Sequence, residues 1–365
     1  MPSPGKSATI AAALQVVRRV TEVFFIPDPY MSIPFFSKLR NRKAHLQTVK
    51  TELQKVRNAI EAQTEHFSPH MRDYMRQVCR SRGKMIRPGL VLLTAAATGG
   101  IKDEHITFAA LLEMLHMASL IHDDVLDKAD TRRDEPTPNA LWGNELAVLL
   151  GDSLLAQAMV MGADIGDARF IRRMAVSVRD LCEGEVEQST RLWDMEMSRA
   201  DYYELIRKKT ATLFAMAMSG AGYLQGLDDE MIGHLNRMGT LLGISYQIYD
   251  DCLDMTGTDD SAGKTLGTDA EKGKLTLPVF FLMESTSEDV AEYVRSAVEK
   301  QEEIDYSRLR GTDAFAEAIR LSVDEGLSRN EEAREVLWML PESLAREALT
   351  EMTYRLDEML RDCLV

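Results

Sequence analysis

The sequence is poor in cysteine, and its few cysteines are not spaced for a shared task. The four are Cys79, Cys182, Cys252 and Cys363, and none stands at the paired or metal-ligand spacing of a disulfide scaffold or a zinc site. This scatter disfavours a small disulfide-stapled secreted domain. It predicts free thiols in a reducing compartment.

The sequence also lacks a long apolar run and an excess of positive charge. No stretch approaches the roughly 20 apolar residues that span a bilayer, which predicts a soluble or peripheral protein. The net charge of −15 argues against nucleic acid as a general partner. In contrast, 365 residues with 45% hydrophobic content are ample for a large core.

Residues 1–50 depart from this acidic balance, with eight Lys and Arg against two acids, Glu22 and Asp28. The segment has no convincing secretory cleavage site, and Arg18 and Arg19 follow its apolar run instead of preceding it. Two interpretations stay open: a helix packed on the body or a partner, and a membrane-surface or transit-peptide segment. We divide the chain into an N-terminal extension, 1–45, and a domain, 46–365. We expect a cytoplasmic protein, with membrane association and organellar targeting left open.

From about Leu46 onward the apolar pattern is helical. Apolar residues recur at three- and four-residue spacing in TFAALLEMLHMASLIHDDVL, ELAVLLGDSLLAQAMVMGA and ATLFAMAMSGAGYL. Short β-branched runs occur, but they are not bounded like strands and paired by turns. The pattern predicts one all-α domain whose helices pack around a central cavity or core.

Two acidic clusters with the same D-D-x-x-D spacing interrupt this apolar background, in ASLIHDDVLDKADTRR and YQIYDDCLD. Their six members are Asp123, Asp124, Asp127, Asp250, Asp251 and Asp254. Aspartates four residues apart share a helix face, and two carboxylates about 4 Å apart repel by roughly 4 kcal/mol at a protein-surface dielectric. One such cluster is typical of a solvated helix face. Two clusters, each ending an apolar helical run, predict a metal site.

Magnesium removes the repulsion, since Mg²⁺ takes one or two carboxylates and shares its other positions with water and substrate phosphates. Two facing clusters could hold several Mg²⁺ ions around one polyanion, and we expect three ions with substrate bound. The pattern therefore predicts a diphosphate site.

Basic residues recur beside both clusters. The candidates for phosphate contact are Lys84, Arg87, Arg132, Arg133, Lys209, Lys264 and Lys274. Any single pair of them is typical of a charged surface, and only their repeated placement indicates bound phosphate. His116, seven residues before Asp123, lies on roughly the same helix face. By itself it is typical of a satisfied core histidine.

From about Lys84 to Pro278 the chain resembles the trans-polyprenyl diphosphate synthase family. The matching motifs are GKMIRP, LHMASLIHDDVLD, GD at 151–152, KT at 209–210, YQIYDDCLD and GKTLGTDAEKGKLTLP. One departure is Met85, because the family often has a basic residue at that position. The resemblance implies an all-α isoprenoid synthase fold around a deep central cavity, usually as a homodimer. It implies head-to-tail condensation of isopentenyl diphosphate onto an allylic diphosphate.

The resemblance also implies residue roles. The isopentenyl diphosphate site is implied at Lys84, Arg87, His116 and Arg133. The allylic diphosphate site is implied at Arg132, Lys209, Lys264 and Lys274, with Mg²⁺ on the six aspartates. Ionisation of the allylic C–O bond leaves a carbocation, and the Thr210 hydroxyl or carbonyl and the Gln247 amide oxygen are candidate stabilisers. The released diphosphate is the expected proton acceptor.

Small residues before the first cluster bear on product length. Ser119 and Ala118 lie four and five residues before Asp123, where short-chain members of the family often carry a bulky aromatic residue. Leu115 and Leu112 follow on that face, each about one helical turn, roughly 5.4 Å, deeper. Small residues also serve plain close packing. We expect a long-chain product of the octaprenyl or solanesyl kind, used for a quinone side chain.

Several alternatives stay open. One is a shorter-chain farnesyl or geranylgeranyl diphosphate synthase. A terpene cyclase is disfavoured, because it has no need of Lys84 and Arg87 and its second metal motif usually differs from D-D-x-x-D. A non-catalytic partner subunit typically loses aspartates or phosphate-binding cations that this chain retains. The partners we expect are the two diphosphates and a second copy of the chain, with membrane contact for product release left open.

Overall fold

The structure is a computed structural model that describes residues 43–80, 83–132, 135–257 and 268–364. Almost all of the extension predicted at residues 1–45 lies outside these ranges, as do Arg133 and Lys264. The first described helix begins at Lys43, close to the predicted start of the domain.

The described chain is a succession of helices. In chain order these are α1 (Lys43–Gln63), α2 (Pro69–Arg80), α3 (Ile86–Thr98), α4 (Asp103–Leu126), α5 (Pro138–Trp142), α6 (Asn144–Asp164), α7 (Ala168–Thr190), α8 (Arg199–Ile206), α9 (Thr212–Gln225), α10 (Asp229–Thr256), α11 (Thr268–Glu271), α12 (Leu277–Met283), α13 (Glu288–Lys300), α14 (Asp313–Leu337) and α15 (Leu344–Asp362). Single 3₁₀ turns cover Thr64–His66 and Tyr306–Arg308, and a π-helical turn covers Arg207–Ala211. The predicted all-α class is confirmed.

The exception to helix within the described ranges is a two-residue antiparallel ladder. Strand β1 (Thr131–Arg132) pairs with β2 (Glu135–Pro136), with Thr131 opposite Pro136 and Arg132 opposite Glu135. The ladder follows the first acidic cluster. The Thr137 hydroxyl donates to the carbonyl of Ala129 at 2.7 Å, which ties the end of the hairpin to its start and fixes the position of Arg132.

Helices α10 and α14 run antiparallel, as two polar contacts along them and one from Arg310, just before α14, show. Arg237 Nη2 lies 3.0 Å from Glu332 Oε2 near the start of α10. The Ser245 hydroxyl donates to the Gly326 carbonyl at 3.0 Å, and Arg310 Nη2 donates to the Met255 carbonyl at 2.8 Å. This pairing holds the C-terminal end of α10, which carries the second acidic cluster, against the body.

Glycines allow α9 and α10 to pack backbone against backbone. A Cβ added at Gly239 would lie 2.5 Å from the Phe214 carbonyl oxygen, and one at Gly243 would lie 2.4 Å from Ala211 Cα. Gly226 ends α9 in the left-handed region at φ 86°, which glycine adopts without steric cost. The result is a tight hairpin that brings the start of α9 against the second half of α10.

Two hydrophobic clusters form the core. One is built largely from α3, α4, α6 and α9, and includes the fully buried Phe108 and Phe170. The other surrounds the C-terminal half of α10 and includes Phe315. Tyr246 packs against both clusters, so α10 contributes to joining them, as do α14 and α15.

The four cysteines are free thiols, as predicted. Cys252 and Cys363 are buried in the second cluster, and burial raises the pKa of the Cys252 thiol. A buried thiol with a raised pKa is poorly reactive, so a structural role is the one that fits Cys252.

Within the described ranges, α4 and α6 are long and apolar enough to cross a membrane by length and composition. The sequence had suggested that no apolar stretch came near this length. The apolar window of α4 is 67% buried in the core, whereas that of α6 is only 39% buried. Helix α6 therefore keeps part of its apolar surface exposed.

Candidate active site

The first acidic cluster lies at the C-terminal end of α4, and its three members differ in environment. Asp124 is 2% exposed and accepts from Arg132 Nε at 2.8 Å. Burial raises the pKa of Asp124, although Arg132 opposes the effect. Asp123 and Asp127 are only partly buried. The helical spacing predicts that Asp123 and Asp127 share a face with Asp124 beside them, but it does not predict this difference in burial.

Asp123 has the environment of an incomplete coordination site. Its Oδ1 atom is buried and makes no hydrogen bond within the described residues. Lys209 Nζ lies 4.0 Å away, which is an ion-pair distance beyond hydrogen-bond reach. A buried carboxylate oxygen with no donor costs free energy unless a cation or water completes it.

The second cluster lies at the C-terminal end of α10. Asp251 and Asp254 are 3% and 2% exposed, and Asp250 is half-buried. Burial, together with the nearby charge of Asp269, raises the pKa of Asp251 to about 8. The cluster is thus more deeply buried than its counterpart on α4.

A hydrogen-bonded chain runs through Asp251. Tyr202 on α8 donates its hydroxyl to Asp251 Oδ2 at 2.6 Å. Gln247 Nε2 donates to Asp251 Oδ1 at 2.8 Å, and the Thr210 hydroxyl donates to Gln247 Oε1 at 2.7 Å. Thr210 and Gln247, which the sequence had singled out separately, are therefore direct partners.

Lysines from the segment after α11 connect the two clusters. Lys272 and Lys274 Nζ lie 3.2 and 3.5 Å from Asp127 Oδ2, and Lys274 lies 3.2 Å from Asp269 Oδ1. The Asp269 backbone N–H in turn points at Asp254 Oδ2 at 3.4 Å. The clusters of α4 and α10 therefore lie on one site.

These lysines also set the charge state of the first cluster. Burial alone would raise the pKa of Asp127, but Lys274 and Lys272 outweigh it and lower that pKa. Burial opposes ionisation of Lys274, and Asp269 and Asp127 outweigh it and raise the lysine's pKa. The site therefore favours an ionised Asp127 beside a charged Lys274.

Lys209 and Thr210 project from the π-helical turn Arg207–Ala211. Such single π turns often occur at functional sites, because the extra residue changes the direction of the side chains that follow. Lys209 Nζ donates to Glu185 Oε2 and to Gln188 Oε1, both at 2.7 Å. Burial raises the pKa of Glu185, with Lys209 acting against the shift.

The predicted isopentenyl diphosphate residues that the structure describes lie just before α3, on α3 and on α4. Lys84 is exposed just before α3. The Arg87 guanidinium stacks over the Phe214 ring at 4.9 Å, beside the α9–α10 hairpin. His116 is half-buried on α4, and its carbonyl accepts from the Ser119 hydroxyl at 2.9 Å. Arg133 and Lys264 lie outside the described residues.

Met85 is oriented inward. It is 6% exposed, belongs to the first hydrophobic cluster, and has φ 53° in the left-handed region. That conformation is uncommon for a residue other than glycine. The side chain that replaces the family's basic residue is therefore part of the core.

The residues expected to bear on product length lie below the first cluster on α4. Ala118 and Leu115 are 3% and 2% exposed, Leu112 is fully buried, and Ser119 is half-buried. The small side chains thus face the same core as the apolar residues one turn deeper.

Several residues of the site were not picked out from the sequence. They are Glu185 and Gln188 on α7, Tyr202 on α8, and Asp269 and Lys272 beside Lys274. The quoted motif GKTLGTDAEKGKLTLP contained Asp269 and Lys272, so their position in a charged, glycine-rich segment was an available signal. Glu185, Gln188 and Tyr202 had no such local signal.

The arrangement is that of a helical isoprenoid synthase: two acidic clusters at adjacent helix ends, joined by lysines. Residues 68–309 match the family described as Polyprenyl synthetase. Octaprenyl diphosphate synthase of Escherichia coli (strain K12) is 37% identical over 218 residues, 60% of this chain and 68% of that protein. Short chain isoprenyl diphosphate synthase of Methanothermobacter thermautotrophicus is 34% identical over 277 residues, 73% of this chain and 83% of that protein.

Solved structures agree. The crystal structure of polyprenyl synthase from Caulobacter crescentus CB15, complexed with calcium and isoprenyl diphosphate, matches with a TM-score of 0.79 and 28% identity, over 86% of this chain and 96% of that chain. The chain belongs to the polyprenyl synthetase family and is a prenyltransferase. The predicted family is confirmed.

Proposed function

We propose that the protein condenses isopentenyl diphosphate head-to-tail with an allylic diphosphate, in a Mg²⁺-dependent reaction, to make a long-chain all-trans polyprenyl diphosphate. The observation that carries this proposal is the link from Asp127 through Lys274 and Asp269 to Asp254. It supports a single site with the charge pattern that a metal-bound diphosphate needs.

The donor set fits Mg²⁺. Carboxylate oxygens are its preferred protein ligands, and the buried Asp123 Oδ1 atom is a ready acceptor. Among the described residues, no three His, Cys, Asp or Glu side chains converge closely enough to hold a metal ion alone. When bound, Mg²⁺ supplies positive charge that stabilises the departing diphosphate.

We assign all six aspartates to this metal site. We propose that three Mg²⁺ ions occupy it when substrate is bound. Asp124 and Asp251 already accept hydrogen bonds from Arg132 and Gln247. They contribute mainly by holding those two side chains in place. Asp123, Asp127, Asp250 and Asp254 complete the proposed metal site.

The cationic side chains receive the two diphosphates. Arg132, Lys209, Lys264 and Lys274 bind the allylic diphosphate, and Lys84, Arg87, His116 and Arg133 bind isopentenyl diphosphate. Lys209 and Lys274 stabilise the negative charge that builds on the leaving diphosphate, so the allylic C–O bond can ionise. Thr210 and Gln247 present oxygen atoms to the allylic cation, and the isopentenyl double bond attacks it. The released diphosphate takes the proton.

The long-chain product is proposed from the small side chains of Ala118 and Ser119 and from the octaprenyl relative. The relative with a short product is nearly as similar, so family membership alone does not select the length. A shorter-chain synthase is therefore the second candidate. A partner subunit without activity is disfavoured by the retained aspartates and lysines.

A single assay separates these outcomes. Purified protein is incubated with farnesyl diphosphate and labelled isopentenyl diphosphate, with Mg²⁺ and after chelation, and diphosphate release and product length are measured. We expect metal-dependent release and products longer than geranylgeranyl diphosphate. Geranylgeranyl diphosphate as the final product would reject the long chain. No release by the intact protein would reject the enzyme itself.

Two variants provide the matched comparison for this assay. Asp123→Asn removes a proposed metal ligand and should abolish most of the release. Asp324→Asn changes an exposed aspartate that pairs with Arg320 at 2.7 Å and should leave it unchanged.

We further propose a homodimer that forms through the exposed apolar face of α6, in a cytoplasmic protein. Peripheral membrane contact would give a long apolar product a place to leave the enzyme. We keep the proposed division into an extension, 1–45, and a domain, 46–365, and the role of the extension stays open.

A further inference from the structure

The Lys209 ammonium is held by two side chains of α7, a helix that no sequence motif connected with the site. Glu185 Oε2 and Gln188 Oε1 each accept from Nζ at 2.7 Å. Residues three apart share one face of a helix, so α7 presents both acceptors to the same ammonium. Asp123 Oδ1, at 4.0 Å, is the more distant neighbour.

We propose that Glu185 and Gln188 are positioning residues that aim Lys209 at the leaving diphosphate and keep it off Asp123. An ammonium group has three N–H donors. Two are taken by α7, which leaves the third for a phosphate oxygen beside the first acidic cluster. This inference rests on the proposed function, because it assigns a task within that reaction.

The negative charge of Glu185 is the essential part of the arrangement. Lysine carries its charge on a flexible four-carbon stem, and Asp123 is close enough to attract it. Without the Glu185 carboxylate, the ammonium would move from 4.0 Å into hydrogen-bond distance of Asp123. That pair would occupy the carboxylate oxygen that we assign to Mg²⁺.

The backbone supports this role. A Cβ at Gly184 would lie 2.7 Å from the Lys209 backbone nitrogen and 3.0 Å from its Cα. Gly184 therefore lets α7 touch the π-helical turn directly, so Glu185 and Lys209 start from fixed positions. The adjacent Lys208 pairs with Glu187 at 3.2 Å and does not compete for Glu185.

The test exchanges the two acceptors. Glu185→Gln keeps the side-chain volume and a hydrogen-bond acceptor but removes the charge. We expect kcat to fall by about tenfold, as for loss of one hydrogen bond between charged groups, and the Mg²⁺ concentration for half-maximal rate to rise.

The double variant Glu185→Gln/Gln188→Glu returns a carboxylate to Lys209 from the other position. We expect it to recover at least half of the loss in log kcat, and the Mg²⁺ dependence with it.

Glu183→Gln is the control, because Glu183 lies on α7 beside Lys208 and Arg179 at 3.7 and 3.4 Å. It should retain wild-type kcat and Mg²⁺ dependence.

A Glu185→Gln enzyme with unchanged kinetics would overturn the inference, as would a folded double variant that recovers nothing. If Glu185→Gln does not fold, the double variant decides alone, since it has the composition of the wild type. Wild-type protein that makes no product would instead refute the proposed function.

Discussion

Asp251 is the member of the second D-D-x-x-D motif that holds neighbouring polar side chains in place. Both of its carboxylate oxygens accept protein hydrogen bonds, from Tyr202 and Gln247. The bond from Nε2 fixes the amide of Gln247, so that Oε1 faces the Thr210 hydroxyl. A buried polar network of this kind is rigid only while every member is satisfied.

Removal of the Tyr202 hydroxyl should therefore weaken both stability and catalysis. Tyr202→Phe leaves Asp251 Oδ2 buried without its donor, which should cost about 1–3 kcal/mol of unfolding free energy and lower kcat by loosening Gln247. Denaturant unfolding and steady-state kinetics measure the two effects. Tyr203→Phe is the neighbouring control: its partner Glu325 is partly exposed, and the change should stay within about 0.5 kcal/mol. Equal effects of the two variants would contradict this role for Tyr202.

Ala118 tests product length at the same scale. A phenylalanine there would occupy the space below Asp123, so Ala118→Phe should shorten the product while diphosphate release continues. Overpacking of this buried position should cost about 1–3 kcal/mol, which thermal unfolding would register. Met117→Phe, one residue earlier on α4, points in another direction and should leave product length unchanged. A long product from Ala118→Phe would show that the growing chain passes elsewhere.

Among the elements, the α9–α10 hairpin and the π-helical turn before it decide where the site residues meet. Thr210 belongs to the π turn and Gln247 to α10, and they can bond only if these segments approach closely. Gly239 and Gly243 provide that approach, because any side chain at either position would strike backbone atoms of the opposite helix.

A methyl group at Gly243 should separate the two segments. Gly243→Ala places its Cβ 2.4 Å from Ala211 Cα, so we expect a loss of about 1–3 kcal/mol and reduced activity from the parted Thr210 and Gln247. Calorimetry and the diphosphate assay measure these changes. Gly233→Ala on the same helix is the matched control, since nothing lies within 4 Å of its added Cβ. Higher helix propensity should stabilise that variant by about 0.5–1 kcal/mol, and destabilisation of both variants alike would contradict the packing argument.

At the scale of the whole molecule, α6 keeps apolar surface that the described chain does not cover. Leu149 and Val160 are 59% and 51% exposed. They are eleven residues apart, which is about three helical turns, so they lie on the same helix face. Exposed apolar faces of this kind commonly mark association surfaces. A second copy of the chain is the partner that we propose for this face.

Charge on that face should separate the copies. Wild-type protein should elute at twice the 41.0 kDa chain mass in size exclusion with light scattering, and Leu149→Glu/Val160→Glu should elute as a monomer. Trp338→Glu alters a large exposed apolar side chain, 68% exposed, on the turn after α14, and should leave the dimer intact. A wild-type monomer, or a dimer that survives both changes on α6, would contradict the proposed surface.

The local sequence predicted the all-α fold class and part of the candidate site. The three- and four-residue apolar spacing predicted the helices, because helix periodicity is a local property. The D-D-x-x-D spacing likewise placed Asp123 beside Asp127 on one helix face. Lys274 was singled out for a similar reason, since it lies in the short, glycine-rich segment GKTLGTDAEKGKLTLP.

Only the tertiary structure decided which distant side chains became partners. Glu185 meets Lys209 because Gly184 admits the π turn, and Tyr202 meets Asp251 because α8 packs on α10; neither pair has a spacing that sequence periodicity can reveal. Burial likewise separated Asp124 from Asp123 and Asp127, and Asp251 and Asp254 from Asp250, although the two motifs have the same spacing. Sequence by itself determined the helices and the chemistry available on them. Packing determined the geometry, because contacts between residues far apart in the chain depend on how whole helices approach one another.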